Sequence, residues 1–494
     1  MYKIRQIKYT ANSVSIQVYK IENRKRVIVC HLGTARTDQE KLDLLTKAKQ
    51  FIEKATKQIE LFEQDASKQV LILDQTEFIG VRYMFLYEFL FRIIAEVGFD
   101  KIADQLLLDL IVIRMVEPSS KHRSIELLEE YFGKTHRRQQ YYDLAPEWLK
   151  LKLQAETTTI EYAKKSYSFN FDLLFYDVTT LYFETFEEDE LRKNGFSKDN
   201  KSQQPQILIA LMVTKEGFPI AYEVYPGNTF EGHTIVPLIK KFIAQNGVKN
   251  FTVIADAAMI SNENVLNLKQ NNIDYIVGAR LGNLNDKLIT QISTALSGTD
   301  KKIIRIKTDK GYLICNFSSL RYRKDKHEMN KQVERAKKVI NNPSKNKKLK
   351  FTKSNGEVLE LNQQLIEKAN RLLGIKGYYT SHEENTLDNQ TIIDRYHELY
   401  KIEKAFRMSK SDLKTRPIFH YKEDPIKLHL LICFMALVVS KQIELKTEIS
   451  IKNFIHECKK VTDARLINKI TRQEVTIRAN YTAKLEAIKA KFAC

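Results

Sequence analysis

The sequence contains little cysteine: five residues in 494, at Cys30, Cys315, Cys433, Cys458 and Cys494. No two of them form a CxxC pair, which argues against a zinc ribbon and against a framework of disulfide bonds. The sequence also lacks internal repeats and low-complexity tracts. A chain with these absences is expected to fold around ordinary hydrophobic cores in a reducing compartment.

Long hydrophobic runs are also missing. The longest apolar stretches, LHLLICFMALVV and LLLDLIVIRMV, are shorter than the ~20 residues that a membrane-spanning helix needs. They are therefore predicted to be buried helices. The first residues, MYKIRQIKYT, have no apolar segment typical of a signal peptide. We expect a cytoplasmic protein without a membrane partner.

Acidic residues are fewer than basic ones. There are 61 Asp and Glu against 80 Lys and Arg, which gives a net charge of +19 and a pI near 9.3. Hydrophobic residues make up 43% and charged residues 29% of the chain, as in ordinary folded proteins. The length predicts two to four domains. The excess positive charge favours an anionic partner, and nucleic acid is the commonest large one.

Changes in composition divide the chain into six regions. The predictions are an N-terminal hairpin and helix over 1–70, a helical DNA-binding domain over 71–165, the first part of an α/β core over 166–285, a β-rich basic insertion over 286–375, the second part of the core over 376–445, and a C-terminal helical region over 446–494.

Five short segments between 168 and 280 are rich in β-branched and aromatic residues and are predicted strands. A turn at 217–219 separates the second strand from the third, and two helices lie between the later strands. Ser261 is a plausible N-cap of the second helix. This order of strands and helices predicts a mixed α/β sheet flanked by helices.

Two segments concentrate basic residues. The stretch KTHRRQQYYDL, with Arg137 and Arg138, suits contacts to phosphates and bases but equally suits a solvated helix end. Residues 301–350 hold seventeen Lys and Arg against four acids, a net charge of +13. Their alternation with apolar residues favours a DNA-facing insertion that includes Lys337 and Lys338; a flexible solvated loop is the alternative.

Three acidic residues stand out by position. Asp177 follows the apolar run in LLFYDVTTLYFE, Asp256 follows another in FTVIADAAMIS, and Glu403 lies in the predicted helix YHELYKIEKAFRMSK. Carboxylates from neighbouring strand ends can converge, and three of them can hold two divalent cations ~3.5–4 Å apart for phosphoryl transfer. Oxygen ligands select Mg²⁺ or Mn²⁺. Taken singly, each residue also suits a turn, a cap or a solvated helix.

A single long helix is predicted from residue 389. Within it Tyr396, Glu403 and Lys410 are spaced seven apart, a rotation of ~700° that puts them on one face of an α-helix. Arg407 lies four residues after Glu403 and so beside it. A face of this composition suits a phosphate-binding edge, although charges at this spacing also decorate solvated helices.

These motifs resemble bacterial insertion-sequence transposases of the DDE class, which have an RNase H-like catalytic core. The helix is similar to the Tyr-x2-Arg-x3-Glu-x6-Lys signature of one branch: Tyr396, Glu403 and Lys410 stand at the tyrosine, glutamate and lysine positions. By the same resemblance YDVTTLYFE carries a first catalytic aspartate, Asp177, and VIADAAMIS a second, Asp256. GNTFEGHT matches a family turn.

At the arginine position of the signature the chain has Leu399. This departure puts one phosphate contact in question, and Arg395 or Arg407 is a candidate to replace it.

The resemblance implies an RNase H-like core with a β-rich basic insertion and a mostly helical N-terminal DNA-binding region. It implies metal-dependent cleavage at terminal inverted repeats and cut-and-paste strand transfer through a hairpin intermediate. Asp177, Asp256 and Glu403 would hold two Mg²⁺ or Mn²⁺ ions, and Tyr396, Arg407 and Lys410 would contact DNA. The implied partners are double-stranded transposon ends and target DNA, bound by a homodimer at the bacterial nucleoid. A structure-specific nuclease and an inactive DNA-binding derivative remain alternatives.

Overall fold

The computed structural model describes residues 2–10, 13–22, 25–56, 73–196, 203–248, 251–259, 261–341, 349–355 and 358–492. The chain divides into two compact units. The first comprises Met1–Glu77 and Lys469–Thr471, and the second comprises Phe78–Asn468 and Arg472–Cys494.

The first unit is a three-stranded antiparallel sheet with one helix. Its elements are β1 (Tyr2–Thr10), β2 (Ser13–Glu22), β3 (Lys25–Ala35) and α1 (Asp38–Thr56). Ile16 and Val18 of β2 and Ala48 of α1 form its buried core. A third strand therefore joins the hairpin that the alternating sequence predicted, and the last part of the predicted region 1–70 lies outside the described residues.

The second unit begins with strand β4 (Thr76–Arg82) and a group of helices. These are α2 (Met84–Val97), α3 (Gln105–Val116), α4 (Lys121–Phe132), α5 (Arg138–Leu149) and α6 (Lys152–Tyr167). Asp104 and Ser120 cap α3 and α4 by accepting backbone N–H bonds of 3.0 and 3.3 Å. The helices share one continuous hydrophobic core with the sheet that follows, so residue 165 does not separate two cores.

A sheet of eight described strands forms the centre of the second unit. The strands between residues 173 and 380 are β5 (Leu173–Tyr182), β6 (Gln206–Val213), β7 (Pro219–Pro226), β8 (Thr252–Ala255), β9 (Asp274–Gly278), β10 (Ile303–Thr308), β11 (Gly311–Phe317), β12 (Thr352–Asn355), β13 (Val358–Leu361) and β14 (Ile375–Thr380). The sheet order is β10-β11-β14-β9-β8-β5-β6-β7, and β12 pairs only with β13. The five strands predicted from 168 to 280 are confirmed as β5 to β9.

Strand directions in this sheet are mixed. β5, β6 and β7 are antiparallel neighbours, whereas β8 and β9 run parallel to β5. The order β7-β6-β5-β8-β9 with these directions is consistent with an RNase H-like core. Every residue of β6 is buried, because helices cover both faces of the sheet, and this explains its unbroken apolar sequence.

Helices flank the sheet and continue to the C-terminal part of the chain. They are α7 (Ile235–Asn246), α8 (Asn262–Gln270), α9 (Asp286–Leu296), α10 (Ser319–Asn341), α11 (Gln363–Arg371), α12 (Asn389–His397), α13 (Tyr400–Arg407) and α14 (Glu423–Thr447). Ser261 caps α8 as predicted, with its hydroxyl accepting from the Asn264 N–H at 3.0 Å. Among the described helices α14 alone is long and apolar enough to cross a membrane, but 94% of its most apolar window is buried inside the protein.

The region predicted as a β-rich insertion, 286–375, holds more helix than strand. Its helices are α9, α10 and α11. Strand β10 pairs with β11, and β11 pairs with β14, so both strands extend the main sheet. The prediction of a β-rich insertion is corrected accordingly. β10 and β11 are hydrogen-bonded strands of the main sheet, whereas the described strands β12 and β13 form a separate two-stranded pair.

The region 446–494 is not all helical, which corrects a second prediction. It contains α15 (Ile451–Lys459), β15 (Asp463–Asn468), β16 (Glu474–Arg478) and α16 (Ala483–Ala490). β15 and β16 pair antiparallel and form a sheet with β4. Val475 and Ile477 alternate with polar residues in β16, a strand pattern that the many charges nearby obscured.

Candidate active site

Asp177 lies in the middle of β5, one of the central strands of the sheet. The four residues on each side of it in the strand are buried, whereas Asp177 itself is half-exposed. A carboxylate at this point avoids full desolvation, which would cost several kcal/mol. The strand therefore carries one ionisable side chain to an accessible edge of the core.

Asp256 comes directly after β8, the parallel neighbour of β5. Tyr176 pairs with Ala255 in the register of these strands, so the next residue on each chain, Asp177 and Asp256, stand side by side. Parallel strands lie about 4.8 Å apart, and residues in register point to the same face. The sheet thus brings together the two aspartates that are 79 positions apart in the sequence.

Glu403 lies on α13, which packs on β5 and β6. Ile402, Ala405 and Phe406 are buried beneath this helix, while Glu403 and Arg407 are exposed. The apolar side chains hold the helix against the sheet, and the two charged ones stay accessible at its surface.

Lys376 of β14 lies close enough to Asp256 and Glu403 to interact with their charges. Nothing in the sequence had singled it out. Burial lowers the pKa of its ammonium group and Arg321 adds to this effect, whereas the nearby carboxylates of Asp256 and Glu403 oppose it. One cation therefore lies within electrostatic reach of two of the three predicted acids. Pairing of β14 with β9 brings it there across more than a hundred residues of sequence, which no local motif signals.

Tyr396 of α12 contacts the second aspartate directly. Its hydroxyl donates to Oδ1 of Asp256 at 3.4 Å, a long hydrogen bond. Its ring lies against Tyr378, with centroids 4.9 Å apart, and the Lys376 Nζ lies 4.7 Å from its centroid. Burial raises the pKa of Tyr396, and the charge of Asp256 raises it further. The tyrosine is therefore a neutral donor to a carboxylate.

The predicted single helix over Tyr396, Glu403 and Lys410 is interrupted, which corrects the one-face arrangement. α12 ends at His397, α13 begins at Tyr400, and residues Met408–Asp412 form a π-helical turn. Lys410 is half-buried and lines a small cavity of about 30 Å³ with Thr179 of β5. Tyr396 contacts Asp256 and Glu403 acts on Lys376, whereas Lys410 lies beside Thr179, two residues after Asp177 in β5.

Leu399, at the arginine position of the signature, is buried in the junction between α12 and α13. Of the two arginines predicted to replace it, Arg395 lowers the pKa of His382. The His382 ring forms a hydrogen bond of 3.0 Å with Thr252, the first residue of β8. Asp256, in contrast, follows the last residue of β8. Arg407 on α13 is thus the better placed of the two.

The other predicted DNA contacts lie on helices. Lys337 and Lys338 are exposed near the end of α10, and Lys337 pairs with Glu334 at 2.9 Å. Arg137 and Arg138 are exposed at the start of α5. None of the four lines the cleft beside Asp256. Lys345, Lys347 and Lys348 of the predicted basic stretch lie outside the described residues.

An open cleft of about 500 Å³ begins at Asp256. It runs between the sheet and the helices α10 and α11, and its cationic lining residues are Arg321, Lys350, Lys368 and Lys376. Asp325 and Glu328 are also in the lining. The exposed carboxylate therefore opens on a groove of mixed charge, with four basic and three acidic lining residues.

The donor atoms at the site are carboxylate oxygens, which suit Mg²⁺ or Mn²⁺. The register of β5 and β8 places the first two at one level, as a shared metal site requires. Over the described residues, however, no group of three His, Cys, Asp or Glu side chains is close enough to hold an ion as placed. The carboxylate chemistry and the strand positions of the two aspartates suit metal ions.

A family model described as a transposase DDE domain matches residues 170–439, more than half of the chain. The match includes all three acids. A search of curated proteins finds no match. Among solved structures, the chain is similar to a piggyBac transposase in a synaptic complex with hairpin DNA, at 12% identity and a TM-score of 0.35, with 82% of this chain and 74% of that chain covered.

Proposed function

The chain belongs to the transposase DDE domain family, and from this premise we propose that it is a cut-and-paste DNA transposase. It binds inverted repeats at the ends of a mobile element, cleaves there through a hairpin intermediate and joins the freed ends to target DNA. The observation that carries the proposal is the parallel pairing of β5 with β8 within the matched domain, in which Tyr176 and Ala255, the residues directly before Asp177 and Asp256, are partners.

In this proposal Asp177, Asp256 and Glu403 hold two Mg²⁺ or Mn²⁺ ions. Bound metal would activate a water molecule or a 3′-hydroxyl group and stabilise the leaving oxygen in phosphoryl transfer. Two aspartates on adjacent strands repel each other without a cation between them. Lys376, which both Asp256 and Glu403 stabilise in its charged form, offsets part of that repulsion.

The remaining residues at the site position these groups and the DNA. The Tyr396 hydroxyl orients Asp256 through its hydrogen bond and keeps its proton, because its pKa is raised. Arg407, exposed one turn after Glu403, binds a phosphate next to the scissile bond. Lys410, which lies beside Thr179 of β5, contributes a second phosphate contact.

The partners that follow are double-stranded DNA and a second copy of the chain. Two transposon ends have to be held together during the reaction, so the working form is a homodimer in a synaptic complex. The same proposal places the protein on bacterial DNA at the nucleoid.

A cleavage assay tests the proposed function. The substrate is a duplex of the DNA that flanks the coding region, incubated with the full chain and Mg²⁺, and the products are resolved on a denaturing gel. The parent protein should give nicks at one position, then hairpins and joined products. Asp177→Asn, Asp256→Asn and Glu403→Gln should give none of these. Glu398→Gln is the matched control, because Glu398 lies five residues before Glu403, outside α13, and pairs with Lys401.

The assay also separates the alternatives. A structure-specific nuclease on the same fold, since fold does not fix function, would cut branched DNA without joining products. An inactive DNA-binding derivative would bind the duplex and yield no products with any divalent metal. If the three acidic variants cleave as well as the parent, the assignment of the site is wrong.

A further inference from the structure

A second cavity, of about 640 Å³, lies away from the three carboxylates. Its lining comes from α3, α4 and α5 on one side and from the segment between α13 and α14 on the other. Five Lys or Arg residues line this basic cavity: Arg114, Lys121, Lys414, Arg416 and Lys422. No Asp or Glu is among its described lining residues.

Among the basic residues of the cavity, Lys121 has a charge that burial makes unfavourable. Its ammonium group lies 3.9 Å from the centroid of the Tyr141 ring and makes no ion pair with a carboxylate of the described chain. Burial lowers its pKa to about 8. A half-buried cation without a counter-charge is unfavourable, and a bound anion would remove the penalty.

Two histidines that line the cavity have pKa values lowered by burial and by the nearby basic residues. Burial lowers the pKa of His420 to about 3, and Lys121 is the first charge that contributes to this shift. Burial likewise lowers the pKa of His429 to about 3, with Arg114 contributing. The His429 Nε2 lies 3.1 Å from the Thr415 carbonyl oxygen. Both imidazoles are therefore neutral and add no charge to the cavity.

Exposed aromatic rings surround the same cavity. Tyr142, Phe419 and Tyr421 line it, and they are 57%, 64% and 63% exposed. A single exposed aromatic residue needs no explanation, but three rings beside one basic cavity form the combination used to bind single-stranded nucleic acid. Tyr142 also belongs to the basic and aromatic stretch KTHRRQQYYDL, for which the sequence left DNA contact and a solvated helix end open.

We propose that the basic cavity binds a short single-stranded segment of DNA. Phosphate oxygens bind the lysine and arginine side chains, and unpaired bases stack on Tyr142, Phe419 and Tyr421. A duplex would satisfy the cations but keeps its bases stacked on each other, which would leave the rings uncovered. The inference rests on the proposed function only in naming DNA as the nucleic acid, because the carboxylates take no part in this binding.

Fluorescence anisotropy with the full chain tests the proposal. The probes are a fluorescein-labelled eight-nucleotide oligothymidine and a labelled 20-base-pair duplex of unrelated sequence. The double variant Phe419→Ala/Tyr421→Ala removes two exposed rings without disturbing a core, and should bind the oligothymidine about 5- to 100-fold more weakly. Lys121→Met should reduce the slope of log affinity against log salt by ~0.7, as for one phosphate contact on a single strand.

Lys489→Met is the matched control for Lys121→Met. The Lys489 ammonium lies the same 3.9 Å from the centroid of a tyrosine ring, that of Tyr481, but does not line the basic cavity. This variant should bind both probes like the parent. Duplex affinity should change less than 3-fold in the double aromatic variant.

Two results would overturn the inference. If the aromatic and lysine variants bind oligothymidine as tightly as Lys489→Met, the cavity is not a nucleic-acid site. If the double aromatic variant loses duplex and oligothymidine binding equally, the cavity binds duplex DNA instead. Cleavage of the flanking duplex, measured in parallel, keeps the two proposals apart: a chain that binds oligothymidine through the cavity but cleaves nothing contradicts the proposed function alone.

Discussion

The hydroxyl group of Tyr396 lies 3.4 Å from Oδ1 of Asp256, although the two residues are 140 positions apart. Gly278, the last residue of β9, makes this approach possible. A Cβ atom built on Gly278 would lie 2.5 Å from the Tyr396 hydroxyl oxygen, closer than atoms pack. Because Gly278 has no side chain, the Tyr396 hydroxyl group can reach Asp256.

Removal of the tyrosine hydroxyl should weaken the positioning of Asp256 without disturbing the packing of the ring. Tyr396→Phe is expected to slow single-turnover cleavage about 5- to 10-fold, which corresponds to about 1 kcal/mol for one hydrogen bond. Tyr378→Phe is the control, because that hydroxyl bonds His397 at 3.1 Å and not a catalytic carboxylate. Equal effects of the two substitutions would show that Tyr396 has only a packing role.

A methyl group at Gly278 should displace Tyr396. Gly278→Ala is expected to lower the free energy of unfolding by about 1–3 kcal/mol through overpacking and to slow cleavage. The double variant Gly278→Ala/Tyr396→Phe should recover part of the lost stability, because it removes the clashing oxygen. Gly282→Ala is the control, since a Cβ there meets no atom within 4 Å. Chemical denaturation measures the parent, Gly278→Ala, Tyr396→Phe, the double variant and the Gly282→Ala control, and strictly additive effects would contradict the contact.

Lys376 competes with metal for the same carboxylates. Lys376→Met should therefore raise the apparent affinity for Mn²⁺ about 3- to 10-fold, because the cation near Asp256 and Glu403 is gone. Mn²⁺-dependent thermal stabilisation of the protein measures this affinity independently of cleavage. Lys368→Met is the control, because the Lys368 ammonium lines the same cleft but donates to the Leu284 carbonyl. A weaker Mn²⁺ response in Lys376→Met would exclude the competition.

Much of the sheet and its helices was predictable because burial leaves a strong pattern. β6 is a continuous apolar run and α14 a long, mostly apolar one, and each is buried on nearly all sides. The two aspartates followed from where such runs stop. Their register could not be predicted, because it depends on pairing between β5 and β8, which no local sequence specifies.

The break between α12 and α13 escaped prediction because the sequence there contains no proline or glycine. Tyr396, Leu399 and Ile402 are all buried, and they are spaced three apart. Residues spaced three apart line up along one side of a helix that has three residues per turn. The backbone does tighten, with i to i−3 hydrogen bonds from Leu399 to Tyr396 and from Ile402 to Leu399, each 3.1 Å.

The exposed lysines near the end of α10 should contribute unequally to duplex binding. Lys338→Gln is expected to reduce the slope of log affinity against log salt by ~0.9, as for one phosphate contact on B-DNA. Lys337→Gln should reduce it less, because Lys337 already pairs with Glu334 at 2.9 Å. Each variant is the control for the other, because the two substituted lysines are neighbours on the same helix. Unchanged slopes in both would mean that this end of α10 is simply solvated.

Lys121 should destabilise the protein in the absence of DNA. Its pKa is lowered by burial from 10.5 to about 8, so the unfolded chain binds a proton more tightly than the folded one. The penalty is complete below pH 8 and is relieved as the pH rises from about 8 towards 10.5. Lys121→Met should therefore raise the free energy of unfolding at pH 7 by about 1 kcal/mol, a value reduced for the partial exposure of the side chain.

The pH dependence distinguishes this charge effect from a simple gain of packing. The stability difference between Lys121→Met and the parent should shrink between pH 8 and 10, as the parent lysine loses its proton in the folded state. Lys489→Met, with the same ring geometry, should show no such change over that range. Urea denaturation at pH 7, 8, 9 and 10 gives the comparison. A difference that stays constant with pH would show that the methionine stabilises by filling space, and that Lys121 carries no electrostatic penalty for an anion to relieve.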